Sequence, residues 1–558
     1  MSACVALLAS IPLYIKHNSY QLATGPDHHD KLTDTVVLPG TIGTMYQPAA
    51  DDGVVWGACL LPLVLSAKAI DLGSVEACGL SIDTAIAMAV AMGAAFAIAS
   101  LGAFLQQRRG EQAQMRSWVW VLWAMIVVIV AVDRDMGSFL TTLAGLLVAV
   151  VGQSVVTKYV VRSLAKGFTL GEAAVVAQAL VLVAMDFAVR LWSSGEAYED
   201  IGVVCLEAAV LGLLAMARVL ASVFNVPAVS VIGSHKPTDN GSMAAVATFA
   251  AIVGAFGSAS LLLVAFICRV NPVWWVVQTV LGSPTHLLTI AYWVALLAIG
   301  SGLYALAATT SFANSHSKLV LHIKRKSYHL LATLMFVPGF LVSPQLLHLG
   351  FTVALVGFAL VECVRVFGIG PLAGPIRVFI SKFVDHRDAG RLVTSHFYLL
   401  FGCALPVWLG GSSPVACLAG VLSLGIGDAV ASLVGMRLGR VRWPGSPKTV
   451  EGTAGFVFSM FAVIQCIRVG LGDSASVGSW LPLLMLLAVS GILEAFTEQN
   501  DNLMIPMFMY AAVHAMSTPA GLDVVRLGPA SMVAFAVVLP DVIDAIKQRS
   551  ITGFAFGQ

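Results

Sequence analysis

The chain alternates long apolar runs with short polar breaks, and most of the runs have the length of a membrane crossing. A helix of about 20 apolar residues spans the hydrocarbon core, with roughly 17 to 25 usable. By that measure about sixteen candidate spans appear. They lie near 54–70, 83–105, 117–132, 137–156, 172–191, 201–223, 243–268 and 286–310, then near 328–345, 347–364, 393–411, 413–436, 452–470, 480–497, 503–518 and 528–546. The pattern predicts an all-α integral membrane protein in three parts. Residues 1–53 form an N-terminal anchor or interfacial segment followed by a polar loop, because the first fifteen residues are apolar without a basic leader and 16–53 has no helical period. Residues 54–315 form a multi-span region. Residues 316–558 hold the polar clusters and therefore the chemistry. No repeat of 20 to 50 residues is visible.

Composition excludes the soluble alternative. Of 558 residues, 58% are hydrophobic and 11% charged, against about 25% charged in an ordinary soluble domain. A net charge of +1 provides no field for DNA or RNA, so no nucleic-acid partner is expected. The nine cysteines are scattered singly without a CxxC pair, which supports neither a zinc site nor a disulfide framework. Basic residues recur in alternate loops, at Arg108, Arg109 and Arg116, at Lys158, Arg162 and Lys166, at Lys318 to Lys326, at 365–391, and at Arg437 to Lys448. By the positive-inside rule these loops share one face, the cytosolic one.

The densest polar stretch is GIGDAVASLVGMRLGRVRWPGSPKTVEGT, residues 425–453. Gly427, Ala431, Gly435 and Gly439 recur every fourth residue and make a smooth helix face. Helix packing alone accounts for such a stripe, though a ligand can also approach along it. Asp428 differs, because a carboxylate in an apolar helix costs several kcal/mol unless a cation or a water-filled cavity meets it, roughly as for any intramembrane acid. Beyond it, Arg437, Arg440 and Arg442 precede a Trp443-Pro444-Gly445 turn, then Lys448, and Thr449 stands ready to cap the helix of Glu451, Gly452 and Thr453. A plain positive-inside loop is the alternative to a phosphate cradle. The carboxylates on either side, Asp428 and Glu451, favour a bound metal and polyphosphate. The loop lacks the glycine pattern of a Walker A motif, and His386-Arg387-Asp388 is a chance match to the protein-kinase loop, with Val393 where an asparagine belongs.

Three more clusters are expected on the same face. Arg325, Lys326 and His329 sit at the mouth of one span; Asp385, Arg387 and Asp388 precede His396 in another. In EAFTEQNDN, residues 494–502, a continuing helix would align Glu494, Glu498 and Asp501 on one side, where a divalent cation or the basic loop would offset their repulsion.

Taken in order, these clusters resemble the polyprenol kinase family, in its dolichol-phosphorylating branch. The resemblance rests on an RKxxH element at Arg325, Lys326 and His329, and on Asp385, Arg387 and Asp388 before His396. It rests further on Gly427-Asp428 leading to Lys448-Thr449-Val450-Glu451-Gly452-Thr453, and on Glu494, Thr497, Gln499, Asp501, Asn502 and Pro506. It covers about 316–546 and says little of the first 315 residues. It implies a CTP-dependent kinase of the endoplasmic reticulum membrane, active on the cytosolic side, that phosphorylates the terminal hydroxyl of dolichol, releases CDP and supplies the lipid carrier for protein glycosylation. On that likeness Asp428 serves a divalent cation, Mg2+, or acts as base. Lys448 and Arg442 hold the triphosphate, Gly427, Thr449, Gly452 and Thr453 contact the nucleotide, and Glu451 acts on metal or ribose. Glu494 and Asp501 join the metal site, and the remaining cluster residues line it. A kinase for another lipid alcohol, a phosphatidate cytidylyltransferase and, from a different class, a secondary transporter are the rival readings. Polar residues crowded into one half argue against the transporter. Nothing in the sequence indicates an oligomeric partner.

Overall fold

The computed structural model describes residues 57, 60, 61, 63–65, 136–164, 167–192, 200–224, 241–308, 318–381, 392–444, 446–472, 480–497 and 499–517. Among these residues the protein is all-helical and contains no strand. The helices are α1 (Met136–Ser163), α2 (Leu170–Trp192), α3 (Ile201–Val223), α4 (Met243–Cys268), α5 (Pro272–Leu281), α6 (Pro284–Ala308), α7 (Lys318–Val342) and α8 (Pro344–Phe367). They continue as α9 (Ala373–Ser381), α10 (Thr394–Leu409), α11 (Pro414–Cys417), α12 (Ala419–Leu422), a π-helix (Ser423–Asp428), α13 (Ala429–Leu438), α14 (Val450–Gly470), α15 (Trp480–Phe496) and α16 (Asp501–Ser517).

Seven helical stretches among the described residues are long and apolar enough to cross a membrane, and α7, α10 and α15 contribute shorter apolar stretches. The expectation of about sixteen spans is thus met only in kind. The runs near 83–105, 117–132 and 528–546 lie outside the described residues, as does most of 54–70. The run 413–436, read as one span, is built in pieces. Ser413 caps α11 and Pro414 occupies its first turn; the chain then passes through α12 and the π-helix before resuming as α13.

Local signals set the other ends. The Ser343 hydroxyl accepts from the Leu346 N–H at 3.2 Å ahead of Pro344, a start favoured because proline has no N–H to lose at that position. Gly368, at φ 68°, ends α8 in the left-handed conformation glycine tolerates.

The main core lies in the C-terminal half. Residues of α8, α10, α12, α14, α15 and α16 meet there, joined by Ala173 and Val175 from α2. α16 is its axis: Leu503 to Ala511 are nearly all buried, as expected of a helix apolar on every side. Leu262 and Leu288, on α4 and α6, are about 70% exposed, the pattern of a lipid-facing wall. A Cβ at Gly402 would strike the Asn502 carbonyl, and one at Gly420 the Gly402 carbonyl, so α10, α12 and α16 meet backbone to backbone. Gly402→Val is therefore expected to lose at least about 1–3 kcal/mol through overpacking, read as a lower melting temperature of the purified protein.

Candidate active site

Four polar elements converge at one end of the bundle. The mouth of α7 brings Lys326 and His329, the π-helix brings Asp428, the loop between α13 and α14 brings Lys448, and the α15–α16 turn brings Glu494 and Asp501.

Asp428 closes the π-helix. A π turn shifts the side chains after it relative to an α-helix, and such turns recur at functional sites. Gly425 makes this one possible, because a Cβ there would lie 3.1 Å from the His329 carbonyl and closer still to the Thr333 hydroxyl. The π-helix can thus rest directly on α7. Asp428 forms an ion pair with Lys326 Nζ and lies 3.3 Å from His329 Nδ1. The same Nδ1 is 3.0 Å from the Leu424 carbonyl. Since a carbonyl only accepts, Nδ1 carries the proton, and the ring is fixed in orientation.

Lys448 forms the second cluster. Its Nζ pairs with the Glu494 carboxylate, lies 3.5 Å from Asp501 Oδ2, and donates to the Glu494 carbonyl at 2.6 Å. That carbonyl belongs to the last turn of α15, where orphan acceptors favour a cation. Burial works against the charge on Lys448, but Glu494, then Asp501, and also Asp428 outweigh it and hold the amine above the ordinary lysine range. Both clusters lie at the same polar end of the bundle, and Asp428 adds a minor part to the field on Lys448.

The loop itself is a braced hairpin. Trp443 N–H donates to the Lys448 carbonyl at 3.0 Å and Val450 N–H to Val441 at 2.8 Å. Arg442 pairs with Thr449 through the backbone while its side chain is exposed. Glu451 accepts the Val441 N–H through both carboxylate oxygens, at 3.1 and 3.2 Å, so it holds the loop from outside. Ser446 donates to the Ala495 carbonyl at 2.6 Å, and the Trp443 ring meets Phe496 edge-on at 5.6 Å. The loop is thereby tied to the end of α15. Thr449 caps α14 as expected, accepting from Gly452 N–H at 3.1 Å. Thr449→Ala should cost about 1 kcal/mol and lower the melting temperature without a change in chemistry of its own.

Several expectations are corrected. The glycine stripe is not left open for a ligand to approach along it. A Cβ on Gly452 would come within 2.9 Å of the Ala431 carbonyl, one on Gly435 within 3.1 Å of Thr449 Oγ1, and one on Gly427 within 2.5 Å of the Phe456 ring. The stripe is filled by α14, which is why its residues are small. The N–H of Gly452 is taken by the cap, and the Thr453 hydroxyl receives the Trp443 indole N–H at 2.9 Å, so both serve the loop. The three-carboxylate helix face does not form either. α15 stops at Phe496 and Asp501 opens α16, yet the turn still brings Glu494 and Asp501 to the same amine. Among the described residues no three His, Cys, Asp or Glu side chains form a ready metal cage, because these acids face Lys326 and Lys448.

His396 is half-buried in the first turn of α10. Gln499 is fully buried, and Asn502 donates its N–H to the Asn500 side chain at 3.1 Å. Thr497 hides its hydroxyl oxygen beside the acidic turn. Asp385, Arg387, Asp388 and Glu498 lie outside the described residues, as does the side chain of Arg325. Two residues the sequence reading passed over belong to this end of the molecule, Thr169 and Glu172. Their T-x-x-E spacing before an apolar run is the signature that could have found them.

The family model described as dolichol kinase matches residues 123–401, half of the chain. This chain belongs to the dolichol kinase family. The matched stretch takes in Lys326 and His329 and ends before Asp428. Dolichol kinase EVAN of Arabidopsis thaliana is 40% identical over 250 residues, which are 43% of this chain and 42% of that protein. Dolichol kinase of Homo sapiens is 36% identical over 254 residues, 43% of this chain and 47% of its own. Dolichol kinase sec59 of Schizosaccharomyces pombe is 39% identical over 203 residues, 35% of this chain and 40% of its own. The chain thus matches somewhat under half the length of these curated relatives. No solved structure matches it.

Proposed function

We propose that this protein transfers the γ-phosphoryl group of CTP to the terminal hydroxyl of dolichol, giving dolichyl phosphate and CDP. The observation that carries this reading is the convergence of Asp428 with Lys326 and of Lys448 with Glu494 and Asp501 at one polar end of an apolar bundle. Membership of the dolichol kinase family supports dolichol as the acceptor.

Phosphoryl transfer asks a protein for positioning and charge neutralisation more than for covalent chemistry. Lys448 and the exposed Arg442 meet the triphosphate. As the phosphates draw Lys448 away, the Glu494 and Asp501 carboxylates are released. Glu494 and Asp501, two carboxylates that face the same amine, would be the residues to hold a hard divalent cation such as Mg2+, which favours oxygen ligands. Such an ion would neutralise charge on the transferring group. Asp428, oriented by Lys326 and His329, accepts the dolichol hydroxyl hydrogen bond and takes its proton as the new O–P bond forms. The bond to the bridging oxygen of CDP breaks in the same displacement.

The product belongs to dolichyl phosphate biosynthesis for protein glycosylation, and the polar end faces the cytosol from the endoplasmic reticulum membrane. The basic loop charges support that orientation. Purified protein with CTP, Mg2+ and dolichol should form CDP and dolichyl phosphate in equal amounts. Release of pyrophosphate, or indifference to CTP, would overturn the reading in favour of a cytidylyltransferase or another activity. In sealed microsomes, a cysteine at exposed Arg440 should react with an impermeant maleimide from the cytosolic side; labelling only after permeabilisation would reverse the topology.

A further inference from the structure

We infer that the capping box of α2, Thr169 and Glu172, positions the acidic turn of the active site, so that the N-terminal half supplies part of the catalytic geometry. This rests on the proposed function, and Thr169 and Glu172 are positioning residues in it, since neither touches the reacting groups.

Both side chains are buried, at 3% exposure. Part of their bonding is the ordinary cap. Glu172 N–H donates to Thr169 Oγ1 at 3.2 Å, and Thr169 N–H donates to Glu172 Oε2 at 3.1 Å. A cap needs nothing more, yet each side chain also reaches the α15–α16 turn more than 300 positions away. Glu172 Oε1 accepts the Asn500 N–H at 2.8 Å, and the Thr169 hydroxyl donates to Gln499 Oε1. Tyr398 O–H, from α10, donates to Glu172 Oε2 at 3.1 Å. The turn so held is followed at once by Asp501, whose carboxylate faces Lys448. Asn500 in turn receives the Asn502 N–H at 3.1 Å, which sets the first turn of α16. A carboxylate that accepts from three donors at once is a fixed point, and groups that hold metal- or phosphate-binding residues from behind typically matter about ten- to a hundredfold.

The chemistry of the box permits a selective test. Glutamine serves as well as glutamate in a capping box, so Glu172→Gln keeps the cap through its one amide oxygen. Its NH2 group then meets the Asn500 N–H, donor against donor, and the clamp opens while α2 stays intact. The expected result is a kcat about tenfold lower or more and a correspondingly higher Mg2+ concentration for half-maximal rate, with a melting temperature lowered only as far as one buried unpaired donor requires. Hydrogen–deuterium exchange should quicken in residues 499–503 and remain unchanged in α2. Parent-like kinetics in folded Glu172→Gln, or unaltered exchange at 499–503, would overturn the inference. If Glu172→Gln fails to fold, Glu172→Asp, which keeps the charge and shortens the reach, carries the same comparison. The parent assayed alongside separates the two claims. An inactive parent overturns the proposed function, whereas the exchange result reads the clamp without any activity.

Discussion

Asp428→Asn is expected to lower kcat for the proposed dolichyl phosphate formation by about a hundredfold or more while CTP still binds, as loss of a proton acceptor in the transition state requires. The carboxylate is placed for this by the π-helix, with Lys326 and His329 holding it. Stability falls as well. Asp428 and Lys326 are each about a fifth exposed, so removing one partner of this partly buried pair leaves the other charge stranded at a cost of about 1–3 kcal/mol. Lys326→Met in the same chain removes that stranded charge, so the double variant should regain much of the lost melting temperature without regaining turnover. Kinetics and thermal melts of the single and double variants check both statements. Near-parent turnover in Asp428→Asn would remove this residue from the chemistry.

Lys448→Ala has the second largest expected effect, and it appears in nucleotide binding. Loss of a charge-assisted contact to phosphate costs about 1.5–3 kcal/mol, or roughly ten- to a hundredfold in the CTP dissociation constant. The variant also strands the buried Glu494 carboxylate beside Asp501, so a lower melting temperature accompanies the loss. Lys448→Arg keeps the charge and should retain part of the affinity. The pH dependence follows from the sign of the shift. The folded-state pKa of Lys448 is raised, so its contribution is complete below the unfolded value of about 10.4 and fades only as pH rises through the folded value above it. CTP binding should therefore show no loss attributable to this lysine between neutral pH and about pH 10. Isothermal titration of CTP across that range measures it, and unchanged affinity in Lys448→Ala would take the loop out of nucleotide recognition.

The sequence by itself determined the class of molecule, most helix positions among the described residues and the segments that carry charge. Those properties follow from composition and local pattern: an apolar run in lipid has to satisfy its backbone within itself, so it becomes a helix wherever it lies. Thr449 as a cap was legible for the same reason, since a cap depends only on the residues around it. Tertiary structure decided how the polar groups are shared out. Asp428 takes Lys326, and Lys448 takes Glu494 and Asp501, because the π-helix and the break after Phe496 turn those side chains in directions that an uninterrupted 3.6-residue period does not predict. The glycine stripe was visible, but what occupied it was not; a face of small residues admits a ligand or a helix alike, and here α14 fills it. The link from Glu172 to Asn500 joins residues 328 positions apart, a distance over which no local rule operates. Only the folded chain brings a buried carboxylate in the N-terminal half against the turn that carries Asp501.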